Sequence, residues 1–305
     1  MALKNFDKNA LNDVEIYIGD PNEQVRESMR SMTRAEGLRR ARTFGRIDDL
    51  ISAYKEITPD LLVVSDDIAP NIFEILRDIR QYRLGRNPFV MITMLVTADK
   101  DIHAKKAILA GCDDVMIKPV SPGRMLERVN HFTFNRLPFI ATTDYLGPER
   151  RRASDRPSAI KQLTVVNSLR VKAEGKRISQ AELGRAVEGC MAQVQASRLD
   201  SHGLKLGYFC NLILKAYEEN KVDKEVEERL LILVGVLEDA SRTAKAIGEP
   251  DLAGLCVQLA RQVEEMAERY QNPTESEVST LRKLTKAFEL AKQASSGSAA
   301  DPAPQ

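Results

Sequence analysis

Asp60-Leu-Leu-Val-Val-Ser-Asp-Asp-Ile-Ala-Pro70 is the stretch that decides the fold. Leu61 to Val64 is an uninterrupted apolar run, the pattern of a strand buried on both faces of a sheet. The run stops at Ser65, Asp66 and Asp67. Acids at the carboxyl end of a buried strand stand where open α/β sheets place their chemistry.

The sequence on either side repeats this theme. Val14 to Gly19 alternates and carries β-branched residues, which predicts a strand. Asp20-Pro21-Asn22 ends it, and Val25, Met29 and Met32 mark the apolar face of a helix closed by Gly37. Leu38 to Phe44 predicts a strand whose Arg39, Arg40 and Arg42 suit a charged sheet edge. Ile47, Leu50, Ile51 and Tyr54 mark a second helix, and Ile72, Ile75, Leu76 and Ile79 a third, after the opening stretch. Phe89 to Val96 predicts a fourth strand, ending at Thr97-Ala98-Asp99. A helix through Ile102, Ala107 and Ile108 then stops at Gly111. Asp113 to Ile117 predicts a fifth strand, ending at Lys118-Pro119. Ser121 caps a last helix with Pro122 at its first position. Strand and helix alternating in this way predict a doubly wound parallel sheet with helices on both faces. Asp20, Asp66, Asp67, Thr97 and Lys118 then come from four strands and fall at one edge of that sheet.

At these residues the stretch 12–136 resembles a response-regulator receiver domain. The matches are Asp20 after the first strand, Asp66 with Pro70 four residues on, Thr97-Ala98 after the fourth strand, and Ala110-Gly-Cys-Asp-Asp114 leading to Lys118-Pro119. The resemblance implies a flavodoxin-like five-stranded sheet of order 2-1-3-4-5. It implies phosphoryl transfer from a histidine kinase or phosphotransfer protein to Asp66, with Mg²⁺ at Asp20 and Asp66. It also implies Thr97 and Lys118 on the phosphoryl oxygens, and a cis peptide before Pro119. The residue types suit that chemistry, because a carboxylate attacking an anionic phosphoryl group needs cations to offset the repulsion.

The sequence also departs from the family pattern. Two adjacent acids are usual after the first strand, and here Asp20 is followed by Pro21. Counting from Pro59 puts Ser65 at the acceptor position, and counting back from Pro70 puts Asp66 there. Asp66 is the expected acceptor, because loop contacts after the strand shape such a site more than the strand's entry does. Val115 replaces the aromatic residue expected three places before the lysine, so the usual Thr–aromatic readout is missing. Each residue also has a plain structural role open to it: strand-end acids cap turns and helices, and a lysine pairs with a carboxylate. A receiver fold kept as a protein-binding module, without phosphoryl transfer, is the alternative. A flavodoxin-like nucleotide enzyme is disfavoured, since no glycine-rich phosphate loop follows any strand.

Residues 137–160, with prolines at 138, 148 and 157 and arginines at 150, 151, 152 and 156, predict an extended basic linker. Arg152 and Arg156 have the spacing of the cyclic-di-GMP-binding arginines of PilZ domains, but the rest of that motif is absent. From 161 to 294 the apolar period becomes helical. Ser179-x-x-Glu182 and Thr274-x-x-Glu277 are capping boxes, and five helices are expected in an antiparallel bundle. The stripe Val226, Leu230, Leu233, Leu237, Ala240, Ala244 is compatible with homodimerisation or with a partner protein. His202-Gly-Leu-Lys205 has the His-x-x-Lys spacing of phosphotransfer domains, but Leu206 stands where that family has glycine and His202 is expected near a helix start. His103 and His131 stand isolated. The tail 295–305 is disordered in composition.

A net charge of +1, from 45 basic and 44 acidic residues, gives no field that draws nucleic acid or an anionic membrane surface. Four dispersed cysteines without a Cys-x-x-Cys pair fit buried thiols in a reducing compartment. No apolar run is long enough to span a bilayer, and no signal-peptide pattern opens the sequence, so a cytoplasmic location is expected.

Overall fold

A computed structural model describes residues 6–7, 11–98, 100–150 and 160–298. The chain divides into two units, Met1–Ile140 with Tyr145–Met191, and Ala141–Asp144 with Ala192–Gln305.

The first unit is built on five parallel strands: β1 (Glu15–Gly19), β2 (Arg40–Phe44), β3 (Leu61–Ser65), β4 (Met91–Val96) and β5 (Asp114–Ile117). Their order is β2-β1-β3-β4-β5, as expected. Between and after them run α1 (Glu23–Ala35), α2 (Ile47–Glu56), α3 (Ile72–Arg80), α4 (Asp101–Leu109) and α5 (Pro122–Phe134). The caps follow the local sequence: Asn22 accepts from Gln24 N and Val25 N, and Ser121 from Arg124 N. The Lys118–Pro119 peptide is cis.

Successive residues of a strand face opposite ways, and β3 feeds two cores. Leu61 and Val63 pack with Ile16, Ile18, Met125 and Val129, on the α1 and α5 side. Leu62 and Val64 pack with Tyr17, Leu50, Ile72 and Leu76, on the α2 and α3 side. Both faces are covered, which is why β3 and β4 read as continuous apolar runs.

A buried ion cluster holds the opposite end of β4 and β5. Arg80, 1% exposed, donates through Nε to Gly111 O (2.8 Å), through Nη1 to Pro88 O (2.5 Å) and Val90 O (2.7 Å), and through Nη2 to Asp113 Oδ2 (2.8 Å). Arg136 Nε donates to Asp113 Oδ1 at 2.7 Å. Burial alone would push the Asp113 carboxyl up, but the two guanidiniums, Arg136 foremost, hold it below the usual range.

The expected linker is folded over its first part. β6 (Phe139–Ala141), β7 (Leu146–Pro148) and β8 (Gln162–Leu163) form a small sheet of order β7-β6-β8. Phe139, Ile140, Ala141 and Leu146 are buried. Pro148 ends the edge strand β7, a position that tolerates proline, and Pro138 stands just before β6. Residues 145–191, including α6 (Ser168–Ala173), group with the α/β unit, so the boundary expected at 160/161 lies later, inside a helix. Arg151, Arg152 and Arg156 lie outside the described residues.

The helix expected to open at Ser179 and the one expected to start near His202 are a single helix, α7 (Gln180–Glu218). No proline interrupts that stretch, and its polar middle is buried: Ser201 is 7% and His202 1% exposed. His202 is therefore mid-helix, not near a helix start. α8 (Lys224–Ala246), α9 (Pro250–Glu268) and α10 (Glu275–Ser298) complete the second unit. Its core joins Leu206, Cys210 and Ile213 to the α8 stripe, to Leu252, Cys256 and Val263, and to Leu281, Leu284 and Phe288. Both capping boxes form. The tail's first residues, 295–298, belong to α10, and 299–305 lie outside the described residues.

Candidate functional site at the carboxyl edge of the sheet

The strand ends bring Asp20, Ser65, Asp66, Asp67, Thr97 and Lys118 to one edge, and there they separate into two clusters. Asp20, Ser65 and Lys118 continue the alternation of Ile16 and Ile18, of Leu61 and Val63, and of Met116. Lys118 Nζ donates to Ser65 Oγ at 2.5 Å, to both Asp67 oxygens at 3.1 Å, and lies 3.5 Å from Asp20 Oδ2. Ser65 Oγ in turn donates to Asp67 Oδ1. Partial burial pushes the Asp67 carboxyl up, but the Ser65 hydroxyl and the Lys118 ammonium more than reverse this and hold it below the usual range. Asp20, fully buried, also caps its own turn, with Asn22 N donating to its Oδ1 at 2.8 Å.

Asp66 turns the other way. Its amide continues the β3–β4 ladder by donating to Leu95 O at 2.9 Å. Its carboxylate accepts from Thr97 N at 3.1 and 3.2 Å and from Thr97 Oγ1 at 2.8 Å. His103 Nδ1 lies 2.6 Å from Oδ2; a carboxylate only accepts, so Nδ1 donates. The Asp66 side chain is fully buried and that of His103 is 22% exposed. The His103 ring rests edge-on against Phe73, with centroids 5.3 Å apart.

The structure thus brings Asp66 together with Thr97, and Lys118 with Asp20, but shows no bond between the two sets. His103 is the residue that sequence reasoning missed. Its only sequence signal is its place one turn into the helix after Thr97, where it can reach back to the strand ends.

The Mg²⁺ that the receiver resemblance implies does not fit this donor set. Asp20 is shared between its own turn and Lys118, and both Asp66 oxygens accept from Thr97 and His103. Among the described residues no three acids, histidines or cysteines stand together as an ion site.

In the helical unit, His202 is no accessible phosphoacceptor. Its Nε2 lies 3.4 Å from Thr243 Oγ1, and its Nδ1 is buried with no partner. Burial pushes its pKa down to about 4. Lys205 turns away to Thr143 and to Asp144, the latter at 3.0 Å. A cleft of about 790 Å³ opens at the opposite end of the sheet. Of its charges, Arg40 pairs with Asp13 and Glu15, and Lys172 with Asp60.

No family model matches the chain, and no curated protein matches it. Among solved structures the chain is similar to a response regulator, DrrB of Thermotoga maritima, an OmpR/PhoB homolog. The two share 18% identity with a TM-score of 0.35, over 60% of this chain and 88% of that one. The strand order, not this likeness, fixes the fold class. No described helix is long and apolar enough to cross a membrane.

Proposed function

We propose that the chain is a receiver-type signalling protein whose α/β unit works by binding a partner, without phosphoryl transfer to Asp66. One observation carries this. The strand-end position facing Lys118 holds Ser65, while both Asp66 oxygens are taken by Thr97 and His103. Lys118, the cation that would neutralise an incoming phosphoryl group, already balances Asp67 and Asp20. Ser65 is a poor substitute nucleophile. Its hydroxyl bonds an ammonium ion, and Asp67, held below the usual carboxylate range, is a weak base for it. The helical unit serves as the interaction or dimerisation domain, and sedimentation of the full chain distinguishes a homodimer from a monomer that needs another protein.

The competing function is a response regulator that takes a phosphoryl group on Asp66 from a histidine kinase or phosphotransfer protein, with Mg²⁺. What favours it is the Thr97 hydroxyl on Asp66. Incubation with acetyl phosphate and Mg²⁺, followed by intact mass, decides between them. The expected result is no Mg²⁺-dependent acyl phosphate. A hydroxylamine-labile gain that disappears in Asp66→Asn restores the response-regulator function.

A further inference from the structure

We propose that His103 is a phosphoryl-accepting nucleophile, with Asp66 as its positioning residue. This rests on the reading above, in which Asp66 serves a neighbour and takes no phosphoryl group itself.

The geometry is that of an oriented imidazole. The buried Asp66 carboxylate takes the Nδ1–H of His103 at 2.6 Å, which fixes the tautomer and leaves the lone pair on Nε2. Thr97 clamps the same carboxylate through its amide and its hydroxyl, so the acceptor cannot swing away. Packing against Phe73 fixes the ring plane. No described residue bonds Nε2, and the His103 side chain keeps 22% of its surface exposed. Among the described residues the carboxylate engages one ring nitrogen and nothing engages the other, the arrangement of an imidazole oriented for attack through Nε2.

The step balances with a phosphoramidate or acyl phosphate as donor. The Nε2 lone pair attacks phosphorus, and the P–N bond (phosphoramidate) or P–O bond (acyl phosphate) to the leaving group breaks. The amine or carboxylate departs with the electron pair. The ring gains a positive charge, and the Asp66 carboxylate on Nδ1–H compensates it. A carboxylate held against the opposite ring nitrogen stabilises the imidazolium-like product in this way.

The chain supplies its own controls, because its three histidines stand in three environments. His103 is paired with a carboxylate, His131 is exposed and pairs with no carboxylate among the described residues, and His202 is buried. The full chain is incubated with potassium phosphoramidate, digested at alkaline pH and mapped by mass spectrometry. The expected product is alkali-stable, acid-labile phosphohistidine at His103, formed several-fold faster than at His131 and absent at His202. It is expected to vanish in His103→Gln and to slow several-fold in Asp66→Asn, with both variants melting as the wild type does. Labelling of His131 at an equal or faster rate overturns the proposal, and that comparison needs no variant to fold. No label at His103 also overturns it and leaves the proposed function standing. A hydroxylamine-labile group on Asp66 overturns both.

Discussion

A strand turns neighbouring side chains to opposite faces, so Ser65 joins Lys118 while Asp66 joins Thr97 and His103. On the proposed reading Ser65 stands where the acceptor carboxylate would be, so replacing it is informative. Ser65→Asp is expected to place a carboxylate between Lys118 and Asp20 and to give Mg²⁺-dependent, hydroxylamine-labile uptake from acetyl phosphate. An unchanged mass would show that Ser65 does not decide phosphoryl uptake. The two registers counted from Pro59 and from Pro70 were each legible in the sequence, but not the choice between them. That choice follows from which face Lys118 shares, and facing depends on pairing between strands 53 residues apart. The parity of Ile16, Ile18 and Asp20 was visible; that Met116 and Lys118 share their face was not. A second residue-scale test concerns the Arg80–Asp113–Arg136 cluster. Asp113→Asn leaves two buried guanidiniums without a counter-charge, and removing one partner of a buried pair costs about 3–5 kcal/mol. Urea denaturation of the variant checks this, and a loss below about 1 kcal/mol would mean that water relieves the cluster.

Regular elements of the α/β unit were legible because both of their signals agree. Apolar runs end at turn residues, and Asn22 and Ser121 cap helices where the pattern says helices begin. The segment 137–150 was not legible, because its prolines and arginines imitate a linker while its backbone docks on a distant loop. The docking point is Gly111, which has φ +83° and would bring a Cβ 2.5 Å from Leu146 O and 3.0 Å from Arg80 Cγ. Gly147 meets the same spot, its added Cβ falling 2.7 Å from Gly111 Cα. Two glycines therefore let β7 approach the α4–β5 turn backbone to backbone. Gly111→Ala is expected to combine left-handed strain with a backbone clash, at a cost of about 2 kcal/mol or more. It should also expose residues 137–150 to limited proteolysis before the sheet itself unfolds. Resistance equal to the wild type would mean that β7 is held by its other contacts, such as Glu149 N to Pro138 O.

Over the whole molecule, the free thiols report on each unit separately. Burial pushes the Cys112 thiol up to about 12, and those of Cys210 and Cys256 up to about 11 each, while Cys190 is half-buried. At neutral pH a thiol reagent is expected to modify Cys190 first and the other three only as their surroundings open. Cys112 lies in the α/β unit and Cys210 and Cys256 in the helical unit, so their labelling rates follow two different cores. His202 gives the helical unit a sensitivity to mild acid, above the range where the depressed carboxylates of the α/β unit take up protons. Its folded pKa of about 4 lies below the 6.5 of an ordinary imidazole. Burial is the main cause; Lys205 and Arg198 add to it, and Asp239 and Asp144 oppose it. As pH falls through 6.5 the unfolded chain takes up the proton first, so stability is intact above that pH and declines down to about 4. The loss reaches about 3 kcal/mol, at 1.4 kcal/mol per pKa unit. With a reagent that reacts with thiols in acid, Cys210 and Cys256 are therefore expected to become labelled progressively across that window, ahead of Cys112. His202→Leu removes the titrating group, and Thr243, whose hydroxyl already donates to Asp239 O at 3.0 Å, loses little by it. The variant is expected to hold both bundle thiols protected to the bottom of the window. Equal acid-induced labelling in wild type and variant would place the sensitivity on other groups.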